Sequence, residues 1–135
     1  MRKIKSTGMK PELLVRRLVH GMGFRFRLHR ADLPGKPDLV FPGRRKVIFV
    51  HGCFWHQHPD PACRRAHVPR SNDAYWGPKL AQNAVRDAAA VRLLTEAGWE
   101  VAVVWECELK DGAALAARLK AFLGSAQNER ISVTP

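Results

Sequence analysis

Apolar residues recur at helical spacing in three stretches of the chain. Residues 11–20 (PELLVRRLVH) place leucines and valines three or four positions apart, after a proline suited to a first helical turn. The same spacing runs through residues 79–97, which end before Gly98, and through residues 112–124. We therefore expect three helices, of which the second is the longest.

Four shorter stretches have the composition and period of β-strands. Residues 24–28 (FRFRL) alternate between apolar and basic side chains, which is typical of a half-buried strand with its arginines facing outward. Residues 38–41 (DLVF) and 46–51 (KVIFVH) are separated by the turn sequence PGRR, so we expect an antiparallel hairpin. Residues 100–106 (EVAVVWE) predict one more buried strand.

The order α-β-β-β-α-β-α predicts an α/β fold in which helices pack on one mixed sheet. The strand 46–51, the long helix and the strand 100–106 form a βαβ unit, so these strands should be parallel with a right-handed crossover. Parallel strands end on the same side of a sheet. Cys53 and Cys107, which follow the two strands closely, should therefore lie near each other.

The hairpin brings a second set of distant residues together. We take Phe41 to pair with Lys46 across the turn. This register places Asp38 opposite Phe49 and close to His51. An aspartate at the start of a strand is in most proteins a turn or cap residue, so its neighbours decide whether it has a chemical role.

Three further polar residues approach Asp38 in this arrangement. His51 and His56 reach it through the hairpin register, and Glu12 on the first helix can point at the same edge of the sheet. A carboxylate supplies the oxygen ligand that Mg²⁺ prefers, and the ion lowers the pKa of a bound water. Histidine can accept the proton from that water. The group is therefore a candidate hydrolytic site.

Residues 52–77 lack periodicity and contain several prolines, which predicts a long loop held by something other than a core. The loop carries two of the three cysteines. Three thiolates and one imidazole form the closed tetrahedral shell that structural zinc prefers. His67 is an alternative to His58, and three unrelated buried thiols are the alternative to a metal site. The predicted ligands are Cys53, His58, Cys63 and Cys107.

The composition points to nucleic acid. The 135 residues include 23 Lys and Arg against 12 Asp and Glu, a formal charge of +11, which attracts polyanions. A basic surface without a partner is the alternative. Three cysteines cannot pair completely, and we see neither a secretory signal nor a membrane span, so we expect a cytoplasmic protein.

Four segments together resemble the very-short-patch repair (Vsr-type) endonucleases, relatives of the PD-(D/E)xK restriction enzymes. They are LPGKPDLVF, VIFVHGCFWHQH, YWGPKLAQNAVRD and GWEVAVVWECEL, and the resemblance runs over residues 1–110. It implies a three-layer restriction-endonuclease-like core (α-β-β-β-α-β) with a zinc-stabilised loop and a C-terminal helix. We expect this domain to span residues 1–124, with a flexible tail at 125–135.

The same resemblance implies an activity. Such enzymes use Mg²⁺ to nick one strand of duplex DNA on the 5′ side of the thymine in a T·G mismatch, which begins repair of deaminated 5-methylcytosine. By position, Asp38 would hold the metal together with the backbone carbonyl of Val50. His56 would act as the general base, His51 would contact the scissile phosphate, and Glu12 would be a supporting acidic residue.

The resemblance also implies the remaining site residues. The zinc ligands would again be Cys53, His58, Cys63 and Cys107. The residues expected to insert beside the mismatch are Phe54, Trp55 and Trp76; those expected to reach base edges are Lys79 and Asn83; a DNA contact is expected from Met1. Without the resemblance, the aromatic residues read equally well as core, and Lys79 and Asn83 as an exposed helix face. We expect Trp99 and Trp105 to be core.

Two other functions stay open at this point. A restriction-type nuclease would cut both strands at a matched site, and a zinc-stabilised DNA-binding module would not cut at all. The expected partner in each case is double-stranded DNA, with other repair proteins as further candidates. We expect a monomer with no membrane association.

Overall fold

The computed structural model describes residues 10–60, 62–66 and 73–124. Met1, His67 and the expected tail at 125–135 lie outside these ranges. The helices are α1 (Pro11–Gly21), α2 (Asp73–Glu96) and α3 (Gly112–Leu123), and the strands are β1 (Arg27–Leu28), β2 (Leu39–Phe41), β3 (Lys46–His51) and β4 (Glu100–Trp105). Short 3₁₀ turns cover Pro42–Arg44, Arg64–Ala66 and Glu106–Lys110.

The strands form one mixed sheet in the order β1-β2-β3-β4. β1 pairs with β2 and β2 pairs with β3 in the antiparallel sense. β3 and β4 are parallel and joined through α2, which confirms the predicted βαβ unit. Phe41 lies opposite Lys46 in the β2–β3 hairpin, as predicted. Arg45 closes the turn in the left-handed conformation, at a φ of 58°.

Helices cover both faces of the sheet. One core packs α1 and α3 against one face, through residues such as Val15 and Leu119. The other packs α2 against the opposite face, through Leu94 and the neighbouring Trp99. Alternate residues of β3 point to the two sides, with Ile48 in the first core and Phe49 in the second. The predicted α/β fold with a C-terminal helix is confirmed.

The long helix differs from its prediction at its start. It begins at Asp73 rather than at residue 79, so residues 73–77 are helical and Pro78 lies inside the helix. A proline this close to the start removes a single backbone hydrogen bond. Trp76 packs against Phe54 and Trp55 of the preceding loop. This packing stabilises the first helical turns, which the local sequence propensity alone does not favour.

The buried face of α2 also differs from the expected one. Leu80 and Leu94 are buried as predicted, but Val85 is 69% exposed. Apolar residues lie on several sides of this helix, so the sequence pattern does not determine which face is buried. Contacts with the sheet bury the face that carries Ala90. Among the described residues, no helix is both long and apolar enough to cross a membrane.

The first strand is shorter than expected. Only Arg27–Leu28 pairs with β2. Even so, side chains from Phe24 to Arg27 alternate between more buried and exposed, as the sequence pattern predicts. Phe24 is buried against α1 and α3, and Arg25 faces outward. Leu28 ends the strand with 40% of its surface exposed, because it lies at the edge of the sheet.

Candidate active site and metal cluster

A cleft of about 320 Å³ opens where β3 ends and α2 crosses the sheet. It is lined by the start of β2, the end of β3, the following loop and one face of α2. The hairpin register and the βαβ crossover together bring these segments to one rim. The polar residues that line it include Asp38, His51, His56, Asn83, Arg86 and Asp87.

Asp38 is held by the backbone of the neighbouring strand. The N–H of Val50 donates to its Oδ2 at 2.6 Å, which fixes the carboxylate against the end of β3. Partial burial raises the pKa of Asp38 against the lowering effect of this hydrogen bond, and the negative charge of Glu12 adds to the rise. A cation beside Asp38 would favour its charged form.

Glu12 on α1 lies beside Asp38, as the sequence predicted. The bridge between them is His29, which sequence reasoning missed. His29 Nε2 is 2.7 Å from Glu12 Oε2 and 3.7 Å from Asp38 Oδ1, and Glu12 also pairs with Arg16. The backbone N–H of His29 donates to the carbonyl of Asp38 at 3.3 Å. A prediction that β1 pairs with β2 would therefore have placed His29 beside Asp38.

His51 and His56 stack face to face, with ring centroids 3.9 Å apart and planes 7° apart. The Nδ1 of His56 lies 2.6 Å from Asp87 Oδ2 on α2. Sequence reasoning missed Asp87, although it follows Asn83 by one helical turn. The ligand atoms of these three residues lie within 4.8 Å of one another.

His51 is only 6% exposed, and its Nδ1 has no hydrogen-bond partner within the described part of the chain. Burial lowers the pKa of His51 to about 4, and the adjacent His56 contributes in the same direction. The ring is therefore neutral at physiological pH. A neutral imidazole has one N–H to donate to an anion.

The four predicted zinc ligands converge on the other side of the loop. The ligand atoms of Cys53, His58, Cys63 and Cys107 lie within 4.8 Å of one another. Burial raises the pKa of the Cys53 thiol to about 12, so its thiolate needs a cation nearby. Three thiols and one imidazole are the donor set that fits tetrahedral zinc.

Trp105 lies between this cluster and the histidines of the cleft. Its ring stacks on His58 with centroids 4.3 Å apart and meets His51 edge-on at 5.2 Å. The prediction that Trp105 is core is therefore corrected, because the residue is only half-buried and packs on polar rings. Trp99 is buried as expected.

The three aromatic residues expected to contact DNA lie together beside the cleft. The rings of Phe54, Trp55 and Trp76 are mutually edge-on, with centroids 5.2–5.3 Å apart. Trp55 is 50% exposed. Tyr75, which sequence reasoning missed, packs on Trp76 at 4.8 Å and lies below the ammonium group of Lys79. The four aromatic residues, of which Trp55 and Tyr75 are exposed, form a cluster that we call the aromatic patch.

Asn83 is tied to this patch. Its side-chain amide donates to the backbone carbonyl of Trp55 at 3.0 Å, so the structure places Asn83 against the loop. Lys79 lies one turn earlier on α2 and is exposed. Met1 lies outside the described residues.

Comparisons with known proteins identify the family of the chain. Residues 1–63 match the family model described as DNA mismatch endonuclease Vsr. The chain is 53% identical to the type II nicking enzyme V.XorIIP of Xanthomonas oryzae pv. oryzae, over 91% of this chain and 88% of that protein. It is 43% identical to the type II nicking enzyme V.NmeAIP of Neisseria meningitidis serogroup A, over 88% and 83%.

A third relative is the DNA mismatch endonuclease Vsr of Escherichia coli strain K12. The identity is 41%, over 82% of this chain and 69% of the relative. Relatives this similar along most of both chains share a fold and a family. The chain therefore belongs to the Vsr family of DNA mismatch endonucleases.

Proposed function

We propose that this protein uses Mg²⁺ to nick one strand of duplex DNA on the 5′ side of the thymine in a T·G mismatch. Membership of the Vsr family makes it an endodeoxyribonuclease that acts on mismatched DNA. The mismatch type and the metal are our proposal. The observation that carries it is the meeting of Asp38, His56 and Asp87 in one cleft beside the aromatic patch.

The oxygen donors around Asp38 suit Mg²⁺. Asp38 offers a fixed carboxylate, Glu12 lies close by, and we propose the backbone carbonyl of Val50 as a further ligand. Bound there, Mg²⁺ would lower the pKa of a water and offset the charge that develops on the phosphate. Asp38 would hold the ion near the end of β3.

His56 is the proposed general base. Asp87 accepts a hydrogen bond from its Nδ1–H, which leaves Nε2 unprotonated and able to take a proton from the attacking water. The same carboxylate stabilises the imidazolium that results. His51, neutral and stacked on His56, would donate its N–H to the scissile phosphate.

The aromatic patch supports recognition of a mismatch. Inserting a ring parts a base step, which costs a few kcal/mol in duplex DNA and less where the bases are mispaired. Trp55 is half-exposed, and Phe54 and Trp76 brace it. We propose Phe54, Trp55 and Trp76 as the inserting residues, with base contacts from Lys79 and Asn83 and a further contact from Met1.

We propose that the cysteine cluster holds Zn²⁺ in a structural role. Its ligands join the loop that carries Phe54, Trp55 and His56 to the turn that follows β4. The metal would contribute the folding free energy that a polar, proline-rich loop lacks. The thiols require a reducing compartment, which agrees with a cytoplasmic location.

The catalytic groups named above all belong to one chain, which supports action as a monomer. Other repair proteins stay candidate partners. A formal charge of +11 supports DNA as the principal one.

The test is a nicking assay on oligonucleotide duplexes that differ only in a T·G or a C·G pair, with the two strands carrying different labels. We expect one labelled product, cut 5′ to the mismatched thymine, in Mg²⁺ and not in EDTA-treated buffer. Equal cutting of both strands of the matched duplex would identify a restriction-type enzyme. Binding without any cutting in Mg²⁺ would identify a DNA-binding module.

A further inference from the structure

A continuous row of aromatic rings joins the cysteine cluster to the catalytic cleft. The ring of His58 stacks on Trp105, with centroids 4.3 Å apart and planes 14° apart. Trp105 meets His51 edge-on at 5.2 Å, and His51 stacks on His56 at 3.9 Å. We call these four side chains the ring row. Its two ends are a proposed zinc ligand and the proposed general base.

His51 lacks the hydrogen bond that ordinarily orients a functional imidazole. Its Nδ1 is buried and has no partner within the described residues, whereas Asp87 holds the Nδ1 of His56. The His51 ring instead packs on the rings of Phe49, His56 and Trp105, at centroid distances of 5.6, 3.9 and 5.2 Å. The orientation of this ring therefore depends on packing.

The backbone of Trp105 is fixed on two sides. Its Cα lies opposite that of His51 in the parallel pairing of β3 with β4, so both side chains project from the same face of the sheet. Its N–H donates to Glu108 Oε1 at 2.8 Å, and Arg118 on α3 holds the same carboxylate. The strand and the turn after it therefore place the indole against His51.

The indole packs on His58, which belongs to the loop. The backbone N–H of His58 donates to the carbonyl of Cys53 at 2.9 Å, and its Nδ1 lies 3.5 Å from the Sγ of Cys107. A metal ion bound by the cluster would fix the plane of this imidazole, because tetrahedral coordination sets the direction of each ligand. The His58 ring would then support the indole from the side of the cluster.

We propose that Trp105 is a positioning residue, which holds the His51 ring in the orientation that nicking requires, and that His58 supports Trp105 as a stacking platform. The inference rests on the proposed function in that His51 acts on the scissile phosphate. It gives His58 a role beyond that of a metal ligand. Occupancy of the cysteine cluster is therefore coupled to the geometry of the cleft through one indole.

The first test compares Trp105→Leu with Trp105→Phe, both loaded with zinc. Trp105→Leu should slow single-turnover nicking of a saturating T·G duplex in Mg²⁺ by about tenfold or more, because His51 loses a fixed neighbour. The Kd for the duplex should stay within about twofold. Trp105→Phe keeps a ring and should nick within about threefold of the unaltered rate.

The control is Phe122→Leu, which removes a partly buried ring from the core on the opposite face of the sheet. It should leave the nicking rate unaltered. A Trp105→Phe protein that nicks as slowly as Trp105→Leu, or a loss confined to the Kd, would contradict a positioning role for the ring.

His58→Cys separates the two roles of His58. Four thiolates still suit zinc, so the metal content should stay at about one ion per protein, but the ring against the indole is lost. The variant should nick about as slowly as Trp105→Leu, and the double variant no more slowly than the slower single one, since both changes break the same row. Zinc-loaded His58→Cys with the unaltered rate, or effects that multiply in the double variant, would overturn the proposal.

Nuclear magnetic resonance gives a readout without DNA or Mg²⁺. Zinc-loaded His58→Cys keeps Trp105, so a shift of the His51 ring signals in this variant would report movement of the indole. The signals of His20, exposed at the end of α1, should not move. Unchanged His51 signals would overturn the proposal. The proposed function fails separately, through absence of T·G-dependent nicking by the unaltered protein in Mg²⁺.

Discussion

The proposed role of His56 as general base depends on one carboxylate, that of Asp87, whose Oδ2 lies 2.6 Å from the ring Nδ1. The carboxylate selects the tautomer with a free Nε2 and stabilises the protonated ring. Both side chains are 28% exposed, so solvent reaches the pair only in part. The contribution of Asp87 should therefore appear in the chemical step more than in DNA binding.

Asp87→Asn should slow single-turnover nicking by about 10²-fold or more, because the amide cannot stabilise the imidazolium. Affinity for the mismatched duplex should change little. The matched control is Asp32→Asn, which removes an exposed carboxylate paired with Arg30. If Asp87→Asn nicks as fast as the control, the assignment of His56 as a general base is wrong.

His51 provides a pH prediction at the same scale. Burial lowers the pKa of His51 from 6.5 to about 4. Between these two pH values, His51 is neutral in the folded protein and protonated in the unfolded chain. The free energy of unfolding should fall as the pH drops from 6.5 towards 4, and His51→Gln should reduce that slope. A nuclear magnetic resonance titration of His51 with a midpoint near 6.5 would contradict this.

Sequence reasoning reached Asp38, His51 and His56 because a hairpin register places them by counting. It did not reach Asp87 or His29. A carboxylate in mid-helix reads as surface until the packing of the helix is known, and a histidine after an edge strand gives no local signal. Their partners come from distant parts of the chain, so only the assembled fold reveals them.

Among the elements, the loop between β3 and α2 has the least support from apolar packing. It contributes Cys53 to the core and otherwise consists of half-buried and exposed residues where it is described. The cysteine cluster joins Cys53, His58 and Cys63 of the loop to Cys107 in the turn Glu106–Lys110. The loop positions both His56 and Trp55, so its order should depend on the metal.

Removing zinc with a strong chelator should disorder this loop and lower the free energy of unfolding by about 3 kcal/mol or more. The change should appear as altered tryptophan fluorescence, since Trp55, Trp76 and Trp105 lie at the loop. Nicking should be lost together with the fluorescence and return when Zn²⁺ is added back. Protein without zinc that keeps native fluorescence and full activity would refute the structural site.

The aromatic patch gives a second prediction at the element scale. Trp55→Ala removes the half-exposed ring, so the preference for T·G over C·G duplexes should fall by about tenfold in binding assays. Leu93→Ala is the matched control, because Leu93 is exposed on α2 outside the patch. An unchanged preference in Trp55→Ala would mean that another residue detects the mismatch.

The elements were predicted well where short-range rules apply. Turn chemistry predicted the β2–β3 hairpin, and the strand–helix–strand order predicted the parallel pairing of β3 with β4. The start of α2 was misplaced because Pro78 reads as a helix breaker, although aromatic contacts of residues 75 and 76 extend the helix beyond it. Contacts of this kind are invisible to a local pattern.

In the whole molecule, the cysteine cluster, the cleft with Asp38 and the aromatic patch lie at one rim of the sheet. The cysteine cluster lies on one side of the loop, and the carboxylate of Asp38 lies on the other, at the end of β3. The high positive charge of the chain favours the approach of duplex DNA. Under the proposed function, catalysis and mismatch recognition take place side by side on a single small fold.

The most direct measurement compares cleavage and binding of a T·G duplex by the unaltered protein and by Asp38→Asn, in Mg²⁺ and at the same salt concentration. The account predicts that the variant loses nicking by several orders of magnitude, since one fixed carboxylate holds the metal, while its Kd for the duplex stays close to that of the unaltered protein. An Asp38→Asn protein that nicks the T·G strand at the unaltered rate would contradict the account.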